Sequence, residues 1–491
     1  MKKVSLLPKA SSLLYSMRDI GYSLEFAIAD IIDNSITAKS ANVYIDFSWQ
    51  SGTPYICITD DGYGMSDENL QNAMRIGSQS PLLVRGKADL GRFGLGLKTA
   101  SFSFCKCLTV ISKKNNIISG YKWDLNKLSE SNDSWYVFKL DNSEIQNGFH
   151  FSLFNKYLSN KESGTIVLWE DIDRLSCAKN NSINEKNFNE NMNDVKKHIE
   201  LVFHRFFEEK LVKIFFNNCL IEGIDPFNSK HIATQEMPVQ NIYINKEEVK
   251  VQPYILPHIN KIDRNEYKKY ELNKGGYLHN QGFYVYRNKR LIIWGTWFNL
   301  LKKEELNKLI RVRIDISNNM DSLWKIDIKK SSAMPSKEIK EELKDIILKI
   351  EERGKEVYKR KGHSLKKNIK DKIWERKISD DKVYFQINKK HLLINKLLKS
   401  LDKKQTAIFN DIIQSIENFI PFDDIYYNYS SDNSSFQVGE FKEEDLFKLY
   451  NFYVTEFYQG MEKEEIYEKL IEHEFFYNKE NLLKKFIKKS K

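Results

Sequence analysis

Three short segments of this 491-residue chain carry residue types whose spacing could do chemistry. In Ala29-Asp30-Ile31-Ile32-Asp33-Asn34-Ser35, Asp30 and Asn34 stand at i and i+4, on one face of a helix. A carboxylate and an amide oxygen one turn apart can hold a water and a magnesium ion. A solvated polar face with a C-terminal cap would carry the same pair. In Asp60-Asp61-Gly62-Tyr63-Gly64-Met65 an apolar run ends in a carboxylate, and two glycines let the chain turn sharply beneath a ligand. Asp60 could accept a hydrogen bond from an exocyclic amine, which favours adenine; an ordinary Asp-Gly turn reads the same way. In Gly91-Arg92-Phe93-Gly94-Leu95-Gly96-Leu97-Lys98-Thr99, three glycines let backbone amides approach an anion at the mouth of a helix. Lys98 can add a point charge on a phosphate. Read alone, such a loop also serves as a simple turn or helix entry. Together the three are the parts of a nucleoside-triphosphate site: metal ligand, base-reading carboxylate and phosphate loop.

The spacing excludes two commoner ways of building such a site. A Walker A loop needs G-x-x-x-x-G-K-[ST], but Leu97 separates Gly96 from Lys98, and Val84 to Leu90 is too polar for a buried strand. A dinucleotide fingerprint fails as well, because Thr99 stands where its third glycine belongs.

The elements that must position these groups are set by periodicity. Leu24, Ala27, Ile28, Ile31 and Ile32 recur at helical spacing, so Ser23 to Ser35 reads as a helix with Ser23 as N-cap. Ala41 to Phe47, Tyr55 to Thr59, Leu108 to Ser112 and Gly164 to Trp169 read as strands, and Phe93 to Phe104 as a helix opening from the glycine loop. Further on, Val195 to Phe207 reads as an amphipathic helix. Val212 to Phe216, Gly282 to Arg287, Leu291 to Trp294 and Val312 to Ile316 read as strands, with a hairpin turn at Asn288-Lys289. From Ser336 the pattern is helical and charged. Its most basic stretch, Gly354 to Lys377, has Tyr358 and Trp374 among the lysines. Such a run could track phosphates, or be a solvated, charge-laced helix.

Length implies two or three domains. The net charge of +10 comes with a general richness in Lys, Asn and Ile, so by itself it says little about a nucleic-acid partner. Five cysteines, an odd number without a C-x-x-C pair, speak against a disulfide framework or a zinc site and for a reducing cytosol. Pro8 and Lys9 interrupt the N-terminal apolar run before a signal peptide can form. The longest apolar stretch, Leu291 to Leu301, is far short of the roughly 20 residues of a membrane span. A cytoplasmic protein without membrane contact is expected.

The order and spacing of the three motifs resemble the GHKL superfamily: gyrase-type topoisomerases, large heat-shock chaperones, histidine kinases and MutL. Asp60 to Ser66 together with Gly91 to Ser101 look most like the MORC-type branch and its bacterial relatives. The resemblance covers residues 1 to about 335. It implies an α+β protein with three parts. A Bergerat-type two-layer α/β sandwich that binds ATP spans 1–185, an α+β transducer-like domain spans 186–335, and a charged, mainly helical C-terminal region spans 336–491.

The resemblance also implies roles. Asn34 would bind Mg2+ and Asp60 would read adenine. Gly62 and Gly64, with Met65, would turn beneath the base. Gly91, Arg92, Phe93, Gly94, Leu95, Gly96, Leu97 and Lys98 would form the phosphate loop, and Gly77 to Leu90 the lid over ATP. Thr165 would support the adenine pocket through Asp60. The family's general base is a Glu four residues before the Asn; here Asp30, one methylene shorter, holds that position, which suggests slow turnover. Glu25 lies off the shared face. Trp324 to Ser331 resembles the second-domain loop whose lysine reaches the γ-phosphate, making Lys329 or Lys330 the ATP sensor.

Taken together, the resemblance implies a magnesium-dependent ATPase in which ATP closes the lid, dimerises the N-terminal domains and clamps a partner, expected to be DNA. Bacterial proteins of this type resemble components of antiphage or restriction-type defence systems, which implies a nuclease or helicase partner. Two alternatives are a non-hydrolysing, ATP-dependent dimerisation switch and a chaperone-like machine. A histidine kinase is disfavoured, because nothing before Asp30 is long enough for a phospho-accepting helical hairpin.

Overall fold

A computed structural model describes residues 8–77, 96–130, 135–147, 149–175, 181–244, 247–258, 261–272, 275–321, 323–325, 334–362, 371–379, 382–421, 425, 441–476 and 479–489. The chain forms two compact units, Met1–Val357 and Tyr358–Lys491.

The first unit contains an eight-stranded sheet built from β1 (Asn42–Ser48), β2 (Tyr55–Asp60), β3 (Cys105–Lys114), β4 (Ile117–Asp124), β5 (Phe138–Leu140), β6 (Gly164–Ile172), β7 (Lys213–Phe216) and β8 (Cys219–Leu220). Its order is β5-β4-β3-β6-β2-β1-β7-β8. All pairs are antiparallel except β1 with β7. The strands alternate as a two-faced sheet must. Ile56 and Ile58, Leu108 and Val110, and Val167 and Trp169 enter the main core, under the helices. Their neighbours Cys57, Ile111, Ile166 and Leu168 enter a smaller core on the other face, which Phe154 and Leu158 cover.

The helices over the main face are α1 (Ala10–Arg18), α2 (Leu24–Thr37), α3 (Asp67–Met74) and α4 (Gly96–Phe102), followed later by the helix Asn181–Val202. Helix α2 buries Ala27, Ile28, Ile31 and Ile32, the residues whose spacing predicts it. Ser23 occupies its N-cap position without a side-chain capping bond. The amphipathic pattern around Val195 to Phe207 is split: a non-helical Phe203 separates Asn181–Val202 from a short helix, His204–Glu208.

A second sheet of the same unit is built from β9 (Gln235–Glu236), β10 (Gln240–Ile244), β11 (Glu247–Ile255), β12 (Gly282–Arg287), β13 (Arg290–Thr296) and β14 (Ile310–Ile316). The order is β10-β11-β14-β12-β13, with β9 on β11. The hairpin expected at Asn288-Lys289 is there. Both residues have positive φ, 48° and 71°, as a tight turn between twisted strands requires. Alternation in β12 sends Phe283 and Val285 into the core beneath the helix Lys337–Gly362. It sends Tyr284 and Tyr286 the opposite way, into the core shared with the first sheet. Strand β7, which the sequence groups with the later segment, instead pairs with β1. The helix Asn181–Val202 acts as a crossover that returns the chain to the sheet edge in parallel.

The second unit is mainly helical, as expected. Leu392–Ser400, Lys403–Asn418, Glu443–Phe457, Lys463–Ile471 and Glu480–Lys489 are helices, and the last three pack around Leu446, Tyr450, Tyr453, Leu470, Leu483 and Phe486. One hairpin, β15 (Trp374–Ser379) with β16 (Lys382–Ile387), interrupts the helical pattern. Among the described residues no helix is long and apolar enough to cross a membrane.

Candidate functional site

Asp60 ends β2, and its carboxylate is the best-supported group of the candidate site. It is 6% exposed. The Ser35 hydroxyl donates to Oδ2 at 3.0 Å and the Gly62 amide to Oδ1 at 2.9 Å. Burial pushes its pKa up to about 6, against the opposing pull of those two donors. The sheet register sets Thr165 of β6 directly opposite Asp60, and Ser112 of β3 opposite Thr165. The two hydroxyls lie 3.0 Å apart, and Ser112 Oγ also donates to the Gly164 carbonyl and accepts from the Met65 amide. Strand ends therefore supply a buried row of polar side chains next to the turn at residues 62–65.

The turn needs its glycines. A Cβ on Gly62 would stand 2.7 Å from both the Cβ and the carbonyl oxygen of Ala38, at the end of α2. Gly64 has φ +61°, and a Cβ there would stand 2.0 Å from the Lys113 carbonyl oxygen. Asp61 serves the turn rather than a ligand: it accepts from the Ala41 and Asn42 amides, the Asn42 side chain and Lys161.

On α2, Asp30 and Asn34 differ sharply in exposure. Asp30 is 3% exposed and accepts a hydrogen bond from the Tyr22 hydroxyl at 3.0 Å. Asn34, one turn on, is exposed, so its amide oxygen is open to a cation. Gly96 brings the start of α4 against the same place, since a Cβ there would lie 3.6 Å from Asp30 Oδ2. Between the two, Asp33 turns inward and both its oxygens accept from Arg290 Nε, at 2.8 and 2.9 Å; each residue is 1% exposed.

Lys98 meets the end of α3. It is 2% exposed, and its ammonium donates to the carbonyls of Ala73 and Arg75, at 2.8 and 2.9 Å. It thus serves the orphan carbonyls ending α3, and burial pushes its pKa down to about 8. Leu97 packs against the main core. Gly91, Arg92, Phe93, Gly94 and Leu95 lie outside the described residues, as do 78–90 of the lid segment and Lys329 and Lys330. Glu25 lines a different cleft, with Phe26, His198 and Trp294.

The structure thus brings Asp30, Asn34, Asp60, Gly62, Gly64, Met65, Gly96 and Thr165 onto the same few elements: α2, the β2 end with its turn, the start of α4 and β6. Sequence reasoning missed Ser35, Ser112, Tyr22 and the Asp33–Arg290 pair. Ser35 adjoins Asn34 and could have been found as its neighbour. Ser112 is legible only once the register of β3 on β6 is known. In the donor set, a buried carboxylate with accepting capacity and an exposed amide oxygen one turn from a second carboxylate suit an adenine amine and a hard cation.

Residues 22–165 match the family model described as histidine kinase-, DNA gyrase B-, and HSP90-like ATPase. Residues 22–165 are thus similar to the ATP-binding domains of the GHKL group, as the motifs predict. A stretch of 93 residues is 31% identical to the ATPase morc-1 of Caenorhabditis elegans, covering 19% of this chain and 10% of that protein. The chain therefore spans only about a tenth of that relative's length, and the likeness supports a MORC-like ATPase domain.

Proposed function

We propose that this chain hydrolyses ATP with magnesium and uses the cycle to gate an N-terminal homodimer that clamps DNA. The observation that carries the nucleotide reading is Asp60, a buried carboxylate held by Ser35 and Gly62 above a turn that only glycines can make. Asp60 would accept from the adenine amino group, with Thr165 and Ser112 fixing the strand ends beside it. Asn34 would hold the magnesium ion, which when bound offsets charge on the phosphates. Asp30 would orient the attacking water and take its proton as the bond from the γ-phosphorus to the bridging oxygen breaks. Residues 91–98 would wrap the phosphates, 77–90 would close over them, and Lys329 or Lys330 would reach the γ-phosphate from the 186–335 domain.

DNA as partner is supported by the basic run from Lys355 to Lys377, with Tyr358 and Trp374 among its lysines. A cytoplasmic role in antiphage or restriction-type defence, beside a nuclease or helicase, rests on the MORC-like resemblance. One observation favours a second reading, the non-hydrolysing switch: the shorter Asp30 is already engaged by the Tyr22 hydroxyl.

The test is steady-state ATP hydrolysis by the full chain, with and without double-stranded DNA, beside Asn34→Ala. Turnover that falls at least 100-fold in Asn34→Ala and rises with DNA is expected. Turnover indifferent to DNA would redirect the search to a protein client. Tight ATP binding without turnover would establish the switch.

A further inference from the structure

Away from the nucleotide site, His204, Glu208 and Asp225 each offer one ligand atom, all within 4.8 Å of one another. We infer that these three residues hold a divalent transition-metal ion of the zinc class, bracing the junction between the two sheets of the first unit.

The imidazole is the strongest observation. His204 is 2% exposed, and its Nε2 lies 2.8 Å from the Tyr286 hydroxyl. Its Nδ1 is buried with no hydrogen-bond partner among the described residues and stands 3.7 Å from Glu208 Oε1. A proton on Nε2, given to the tyrosine oxygen, leaves a bare lone pair on Nδ1. A metal-ligating histidine is held in this way, its far nitrogen fixed by an outer partner. Glu208 stands at i+4 from His204, so both face the same side of the short helix.

The third ligand comes from a loop built to meet that helix. The Asp225 carboxylate is oriented by three donors: the Phe227 amide on Oδ1, and the amide and hydroxyl of Ser229 on Oδ2. Oδ1 keeps a lone pair for a cation. A Cβ on Gly223 would lie 2.8 Å from the His204 Cα, so glycine lets this loop close on the helix. A cleft of about 580 Å³, lined in part by Glu208, Asp225, Asn228 and Tyr270, opens the place to water. That cleft supplies both an entry path and the remaining ligands.

Tetrahedral bonds of about 2.0–2.2 Å to nitrogen and oxygen set two donors roughly 3.4 Å apart. The exposed Glu208 side chain swings inward to close the site. One imidazole nitrogen with two carboxylate oxygens suits zinc or its first-row neighbours better than calcium or magnesium. Through Tyr286, the ion would tie the helix and the 225–229 loop to β12 of the second sheet.

Full-length protein stripped with a chelator and dialysed is titrated with zinc against a chromogenic zinc indicator. One equivalent is expected to compete with the indicator. Glu208→Gln and Asp225→Asn are each expected to weaken it at least tenfold, and Asn34→Ala to leave it unchanged. Zinc should also raise the midpoint of thermal unfolding of the parent and not of Glu208→Gln. The substituted Glu208 is partly solvent-exposed, so the metal-free variant should melt with the metal-free parent. Zinc affinity insensitive to Glu208→Gln and Asp225→Asn, no zinc held against the indicator, or loss of the ion in Asn34→Ala would each overturn the assignment.

Discussion

At the scale of residues, Asp60 gives the site a pH dependence whose sign can be worked out. Its carboxyl titrates near 6 when folded, against 3.8 as a free group. Between those values the folded chain binds more protons than the unfolded one, so this group lowers the stability of the ligand-free protein as pH rises from about 4 to about 6, with no further change above. Nucleotide affinity runs the other way, because the ionised carboxylate is the better acceptor for an amine. ATP affinity is expected to fall progressively below about pH 6, and Asp60→Asn to bind weakly with that component of the pH profile lost; titration of a fluorescent ATP analogue from pH 5 to 8 checks it. Gly64 sets a second limit. Its φ of +61° and the 2.0 Å approach to the Lys113 carbonyl leave no room for a side chain. Gly64→Ala should cost at least about 1–3 kcal/mol, read as a lower urea midpoint, and should reduce ATP binding together with stability.

At the scale of elements, α2 is fastened at two levels. Its apolar stripe packs on the sheet, and Asp33 pairs with Arg290 of β13, a partner 257 residues away. Both ions are out of water, so removing one leaves the other uncompensated. Arg290→Ala should destabilise the chain by about 3–5 kcal/mol, and the double change Asp33→Asn with Arg290→Met should recover part of that loss in urea unfolding. Helix α3 ends on Lys98, whose ammonium bonds the Ala73 and Arg75 carbonyls. Lys98→Met keeps the stem and removes the donor. Faster amide hydrogen exchange at residues 71–75 is expected, with the rest of the sheet unchanged. If Lys98 also serves ATP, nucleotide should alter exchange at those same amides in the parent.

At the scale of the whole molecule, the two sheets of the first unit share one core, because β12 sends alternate residues to opposite sides. Such sharing couples the two sheets of Met1–Val357, and one cooperative transition for that unit is the expected denaturation profile. The basic run belongs to this scale too. Each phosphate neutralised adds to the salt slope of DNA binding, by about 0.9 per contact on duplex DNA. Replacing Lys359, Arg360 and Lys361 with serine should flatten the plot of log affinity against log salt by up to three such contacts, and an unchanged slope would remove this run from the DNA-binding surface.

Local pattern alone determined much of this protein. The order of three motifs pointed to an ATP-binding domain of the GHKL type, helical spacing located α2, alternation located β1, and short apolar runs located β2, β3 and β6. These signals are local, and short-range sterics and burial set them. Tertiary structure decided the rest. The partner of Asp33 lies 257 residues away, the Ser112–Thr165 contact depends on strand register, and Lys98 meets the end of α3 only after folding. The pairing of β7 with the first sheet, and the meeting of His204 with Asp225 and Tyr286, likewise arise from how helices and loops return the chain. Residue types state what a side chain can bond; only the packed fold states which of those bonds it has already made.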